Sequence, residues 1–173
     1  KPRIAVRSVE LKKTVPGDKR SDWERLLQAL SDAGMPDTEP VLPDPELSSS
    51  LYERCRQDGT WYVAHTEKEI LDISSEREPF CLAAFDIGTT TLAGYLLDMD
   101  DGRVLAVESR LNPQAQYGAD VIMRSDYALA HGTEALSLCI RRELDEMIGC
   151  LCAQAGRKRT NLLQICAAGN TCM

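Results

Sequence analysis

The stretch Asp86-Ile87-Gly88-Thr89-Thr90-Thr91 sets a carboxylate, a glycine and three hydroxyls side by side. Each has a separate chemical use. Gly88 lets the backbone come close to a ligand, the amides and hydroxyls of Thr89 to Thr91 can surround phosphate oxygens, and Asp86 can hold a magnesium ion through water. On these residues alone the plainer explanation is favoured, an Asp-x-Gly hairpin whose threonines suit a strand.

The elements around the turn shift that balance towards phosphate. "FCLAAFDIG" is a nearly continuous apolar run and predicts a strand buried on both faces. "TLAGYLLD" and "VLAVESRL" follow as strands, joined by the polar turn "MDDGR", so three antiparallel strands form a meander. After Asn112-Pro113-Gln114 the pattern becomes helical, from about Gly118 to Leu129 and again from Thr133 to Ala155. Leu136, Ile140, Leu144, Met147, Ile148 and Leu151 form one stripe of the longer helix, and Gly156 stops it. "NLLQICAAG" predicts another buried strand, running into "NTCM".

Residues 1–78 read as a separate, small α+β module. A half-exposed strand covers the first thirteen residues, and in "SDWERLLQAL" Ser21 and Glu24 have capping-box spacing ahead of Trp23, Leu26, Leu27 and Leu30. Pro36, Pro40, Pro43 and Pro45 predict an extended connector over residues 36–48, followed by a short helix near Leu51 to Gln57 and strands in "TWYVAHT" and "EILDIS". The charged stretch "SSEREP" is the expected linker to a second module at 79–173.

The 173 residues suffice for one ordinary or two small domains, and 43% hydrophobic with 27% charged residues describes a globular chain. A net charge of -7 argues against a nucleic-acid partner, which would require clustered Lys and Arg. No stretch reaches the apolar length of a membrane span, and seven cysteines without a CxxC pair suit a reducing cytoplasm. The first residue is Lys1, so the sequence is expected to be part of a longer polypeptide.

"FDIGTTTLAGYLLD" resembles the first phosphate motif of the superfamily containing actin, the sugar kinases and the large heat-shock chaperones. Together with "LNPQAQYGADVIMR" and "AGNTCM", it resembles more narrowly the reductive activators of corrinoid proteins. That resemblance implies a ribonuclease-H-like α/β lobe at 79–173, a mixed sheet with flanking helices that is the first half of an actin-like ATPase domain. Residues 1–78 would be a middle domain. It also implies ATP and Mg2+ as ligands, and electron transfer from an iron-sulfur cluster to the Co(II) corrinoid of a corrinoid protein or corrinoid-dependent methyltransferase, in anaerobic metabolism. The family's ferredoxin domain, second phosphate motif and adenosine motif have no counterpart in these residues. The cluster is therefore expected elsewhere in the parent protein, and this chain alone is expected to bind ATP weakly or not at all.

The resemblance further implies that Asp86 orients magnesium and that Gly88, Thr89, Thr90 and Thr91 bind phosphate. Asn112, Gln114, Tyr117, Asp120, Arg124, Gly169, Asn170 and Thr171 would face the cleft or a partner, and Cys172 stands where a second threonine is expected. An Asn-Pro turn with an aspartate at a helix start explains the middle motif equally well. Cys81, Cys139 and Cys166 read as small core groups, the Cys150-x-Cys152 pair as poor joint ligands on a helix, and His65 and His131 as surface or capping residues. Two alternatives stay open. One is a small-molecule phosphotransferase of the same superfamily with Asp120 activating the acceptor; the other is a module that serves only for docking or for dimerisation, a homodimer being one form of it.

Overall fold

The computed structural model describes residues 4–35, 45–66 and 68–169. The chain is mixed α/β and divides into two compact units, Lys1–Glu78 and Pro79–Met173.

In the first unit, strands β1 (Ala5–Leu11), β2 (Gly59–His65) and β3 (Ile70–Ser74) form an antiparallel sheet with β2 in the middle. Helices α1 (Asp22–Asp32) and α2 (Pro45–Cys55) pack with it. The capping box is present: the Ser21 hydroxyl accepts from the Glu24 amide, and the Glu24 carboxylate accepts from the Ser21 amide. Leu26 and Leu30 are fully buried against Val9, Trp61, Val63 and Ile73. The expected extended connector lies outside the described residues at 36–44, but its last part is helix from Pro45, because proline is compatible with a first helical turn.

The second unit holds β4 (Cys81–Ile87), β5 (Thr91–Asp98), β6 (Val104–Leu111) and β7 (Leu162–Gly169) in the order β6-β5-β4-β7. The three consecutive strands form the expected antiparallel meander, while β7 returns parallel to β4. A 3-10 turn at Pro113–Tyr117, α3 (Val121–His131) and α4 (Glu134–Gln154) make the long connection that a parallel return requires. The predicted stripe of α4 packs over β5 and β6, with Met147, Ile148 and Leu151 buried against Phe85, Leu92 and Leu96. Each such side chain contributes about 1.5–3 kcal/mol, so this burial, rather than surface ion pairs, holds the helix down. Gly156 adopts φ +63°, its amide donates to Ala153, and the Arg157 amide donates to the Cys152 carbonyl, which closes α4 with a left-handed cap.

Two expectations about burial are corrected. β4 buries Cys81, Ala83 and Phe85 on one face only, and its other face is half-buried or exposed. β7 is an exposed edge strand rather than a buried one, with Ile165 53% exposed. An apolar run shows that a strand can be covered, but coverage needs a second layer, and α4 supplies it to one face of the sheet, over β5, β6 and the Cys81, Ala83 and Phe85 side of β4.

Candidate functional site: a phosphate-type turn held from behind

The turn between β4 and β5 closes with the Gly88 amide donating to the Thr91 carbonyl at 2.9 Å. A Cβ on Gly88 would lie 2.6 Å from that carbonyl oxygen, so no side chain fits there. Asp86 is exposed at the carboxyl end of β4, level with Ala93 on β5 and Ala168 on β7. Thr90 and Thr91 are exposed, whereas Gly88 and Thr89 are half-buried. The parallel strands β4 and β7 end side by side, Ile87 level with Gly169. The carboxyl edge of adjacent parallel strands is where α/β sheets place ligands.

What distinguishes this turn from an ordinary hairpin is how its carbonyls are held. Asn112 Nδ2 donates to the Gly88 carbonyl at 2.8 Å, and the Asn112 amide donates to the Thr90 carbonyl at 2.8 Å. Arg124 Nη2 donates to the Thr89 carbonyl at 2.7 Å. The described peptide bonds include no cis bond, and a trans peptide points its N–H opposite its C=O. The Thr89 amide therefore points away from Asn112 Nδ2, which holds the Gly88 carbonyl, and the Thr90 amide away from Arg124 Nη2, which holds the Thr89 carbonyl. Successive amides presented this way form an anion-binding concavity.

The residues expected to face a cleft take other positions. Asn112 is 1% exposed and Gln114 5% exposed. Asn112 Oδ1 accepts from the Gln114 amide, and Gln114 Nε2 donates to the Leu136 carbonyl at the start of α4. Both amides thus brace the turn instead of reaching a ligand. Asp120 caps α3 by accepting from the Met123 amide at 2.8 Å, and Arg124 turns inward to the carbonyls of Gly118 and Thr89 rather than pairing with it. Tyr117 is half-buried, its ring 4.9 Å from that of Tyr127, which stacks on His131. Gly169 ends β7 beside the turn, whereas Asn170, Thr171 and Cys172 lie outside the described residues.

Sequence reasoning passed over Arg110. From β6 its guanidinium reaches Glu108 and Glu143 and lies 3.0 Å from the Cys150 sulfur, joining the sheet to α4. Glu143 and Cys150 are 33 and 40 positions away, beyond any local signal.

Cys81 and Cys152 are buried, Cys139 and Cys150 half-buried, and Cys166 exposed on β7, which corrects its expected core position. Burial pushes the Cys81 thiol up to about 11 and raises Cys139 and Cys152 as well. His65 is buried, not superficial, its Nδ1 bound to the Thr66 carbonyl. Among the described residues, no group of three or more His, Cys, Asp or Glu is placed to hold a metal ion, and no helix is long and apolar enough to cross a membrane.

Three comparisons agree with this architecture. The chain is 40% identical over 118 residues to the corrinoid activation enzyme RamQ of Eubacterium limosum, covering 65% of this chain and 20% of that protein. Its structure is similar to that of a reductive activator for corrinoid, iron-sulfur protein, with a TM-score of 0.82 and 28% identity, over 100% of this chain and 28% of that one. A family described as RACo middle region matches residues 81–173, the second compact unit. By that match, over more than half of its length, the chain belongs to the reductive activators of corrinoid proteins.

Proposed function

We propose that this chain belongs to an ATP-dependent reductive activator, and that residues 79–173 are the first lobe of its actin-like, ribonuclease-H-like ATPase domain. In the complete protein, ATP hydrolysis would drive an electron from an iron-sulfur cluster to the Co(II) corrinoid of a corrinoid protein or corrinoid-dependent methyltransferase. The reading is supported above all by the Gly88–Thr91 turn, whose carbonyls are bound by Asn112 and Arg124 at the carboxyl ends of two parallel strands.

In this reading the amides and hydroxyls of Thr89 to Thr91 hold the β- and γ-phosphates of ATP, and Gly88 allows their close approach. Asp86, exposed and beside them, fits a carboxylate that holds magnesium through water. A bound magnesium ion supplies charge neutralisation between phosphates, and the turn supplies position. Coupling to the corrinoid protein requires ATP to bind two states of the protein unequally. The described cysteines do not fit an iron-sulfur cluster, being dispersed from buried to exposed positions without a three-ligand group. In this reading, which follows the family resemblance, the electron donor belongs to another part of the parent polypeptide.

The phosphotransferase alternative loses its candidate acceptor base, since Asp120 caps α3. The deciding measurement is magnesium-dependent ATP hydrolysis by the full-length protein. Asp86→Asn should lower kcat at least about a hundredfold, as expected for loss of a group acting on developing phosphate charge. An unchanged rate would refute the assignment. An anaerobic absorption spectrum with iron analysis of the same protein would test the electron carrier, and a colourless, iron-free protein would favour the phosphotransferase.

A further inference from the structure

Arg124 stands on the first turns of α3 with 3% of its surface exposed. Its guanidinium donates through Nε to the Gly118 carbonyl and through Nη2 to the Thr89 carbonyl, while Nη1 is buried without a hydrogen-bond partner among the described residues. Among the described residues, no carboxylate pairs with it: Asp120, one turn earlier, faces the Met123 amide. Arg110 on β6 is the contrast, held by Glu108 and Glu143. Burying a guanidinium without a counter-charge is costly, and neutral carbonyls recover only part of its hydration. A fold that needed only to brace a carbonyl could do so with a neutral amide, as Asn112 does at Gly88.

We infer that Arg124 is the positioning residue of the phosphate turn, and that the charge missing from its surroundings is supplied by the phosphates of a bound nucleoside triphosphate. This rests on the phosphate reading of the turn. The guanidinium fixes the Thr89 carbonyl from behind and polarises that peptide group, whose other end is the Thr90 amide. Arg124 thus acts on the ligand through the turn without touching it. Its selectivity is for anionic charge, so it should affect nucleotides with phosphates and leave a nucleoside alone.

The test uses the full-length protein with Arg124→Met, which keeps most of the volume and removes the charge, and Arg124→Lys, which keeps the charge and loses the two-point grip. MgATP and adenosine affinities are measured by calorimetry or competition, and hydrogen exchange of the turn amides is followed without nucleotide. Arg124→Met should weaken MgATP by about ten- to a hundredfold, the range for losing a charged hydrogen bond, with adenosine unchanged. Exchange at 88–91 should quicken while Met147 and Leu151 amides in α4 keep their protection, and Arg124→Lys should recover part of the MgATP affinity. Equal losses for MgATP and adenosine, or unaltered turn exchange, would overturn the inference. Wild-type protein that MgATP does not saturate would overturn the phosphate reading and the charge-balancing role with it, while the exchange data still decide whether Arg124 holds the turn. If Arg124→Met does not fold, the lysine variant is judged on the same comparisons: it must loosen the turn and weaken MgATP alone.

Discussion

Asn112 Nδ2 lies 2.8 Å from the Gly88 carbonyl oxygen, joining residues 24 positions apart at the base of the turn between β4 and β5. The same asparagine receives the Gln114 amide on Oδ1 and gives its own amide to the Thr90 carbonyl. It therefore links the end of β6 to both ends of the turn from a position 1% exposed.

Asn112→Ala should accordingly destabilise the second unit by about 1–3 kcal/mol, because it strands the buried Gln114 amide and leaves the half-buried Gly88 carbonyl without its donor. Urea unfolding followed by circular dichroism, with exchange at the β4 and β5 amides, measures the loss. A change below about 0.5 kcal/mol, the level of an indifferent surface substitution, would show that the bonds are not maintained in solution.

Acid should weaken the first unit through Asp18. Hydrogen bonds from the Arg20 guanidinium and amide lower its carboxyl from 3.8 to about 2. The folded form thus holds its proton less tightly than the unfolded chain. The stabilisation is present above about pH 4, the ordinary carboxylate range, and is lost as the pH falls from there towards 2. Both tryptophans, Trp23 and Trp61, lie in this unit, so tryptophan fluorescence reads its urea midpoint directly. Asp18→Asn should flatten the decline between pH 4 and pH 2; an identical decline in both proteins would assign it to other carboxylates.

The cysteines should react in order of exposure. A maleimide at pH 8 should modify Cys166 rapidly, because its side chain is exposed on β7. Cys81 should resist until the protein unfolds, since it is fully buried and its thiol is pushed up to about 11. Mass spectrometry of timed digests separates the sites, and early labelling of Cys81 would mean that β4 opens in the native state.

Much of the fold is legible locally. Ser21 and Glu24 announce the start of α1 because a capping box is closed within four residues. The stripe from Leu136 to Leu151 announces α4 because a helix repeats its faces every few residues, and the polar turn at Asp101-Gly102 separates two strands of alternating character. The Asp86–Thr91 turn is equally plain as a pattern, since its glycine and hydroxyls are consecutive.

The sequence by itself thus determined the elements, their order and the position of the Asp86–Thr91 turn, all of which depend on near neighbours and on periodicity. Only the tertiary structure decided that Asn112 and Gln114 brace the turn, that Arg124 reaches back to Thr89 across 35 positions, that His65 is buried and that β7 is exposed. The direction of a polar side chain is chosen by which carbonyls packing leaves unpaired, and burial by which layer covers a strand. Both are set by contacts between distant segments, which periodicity does not record.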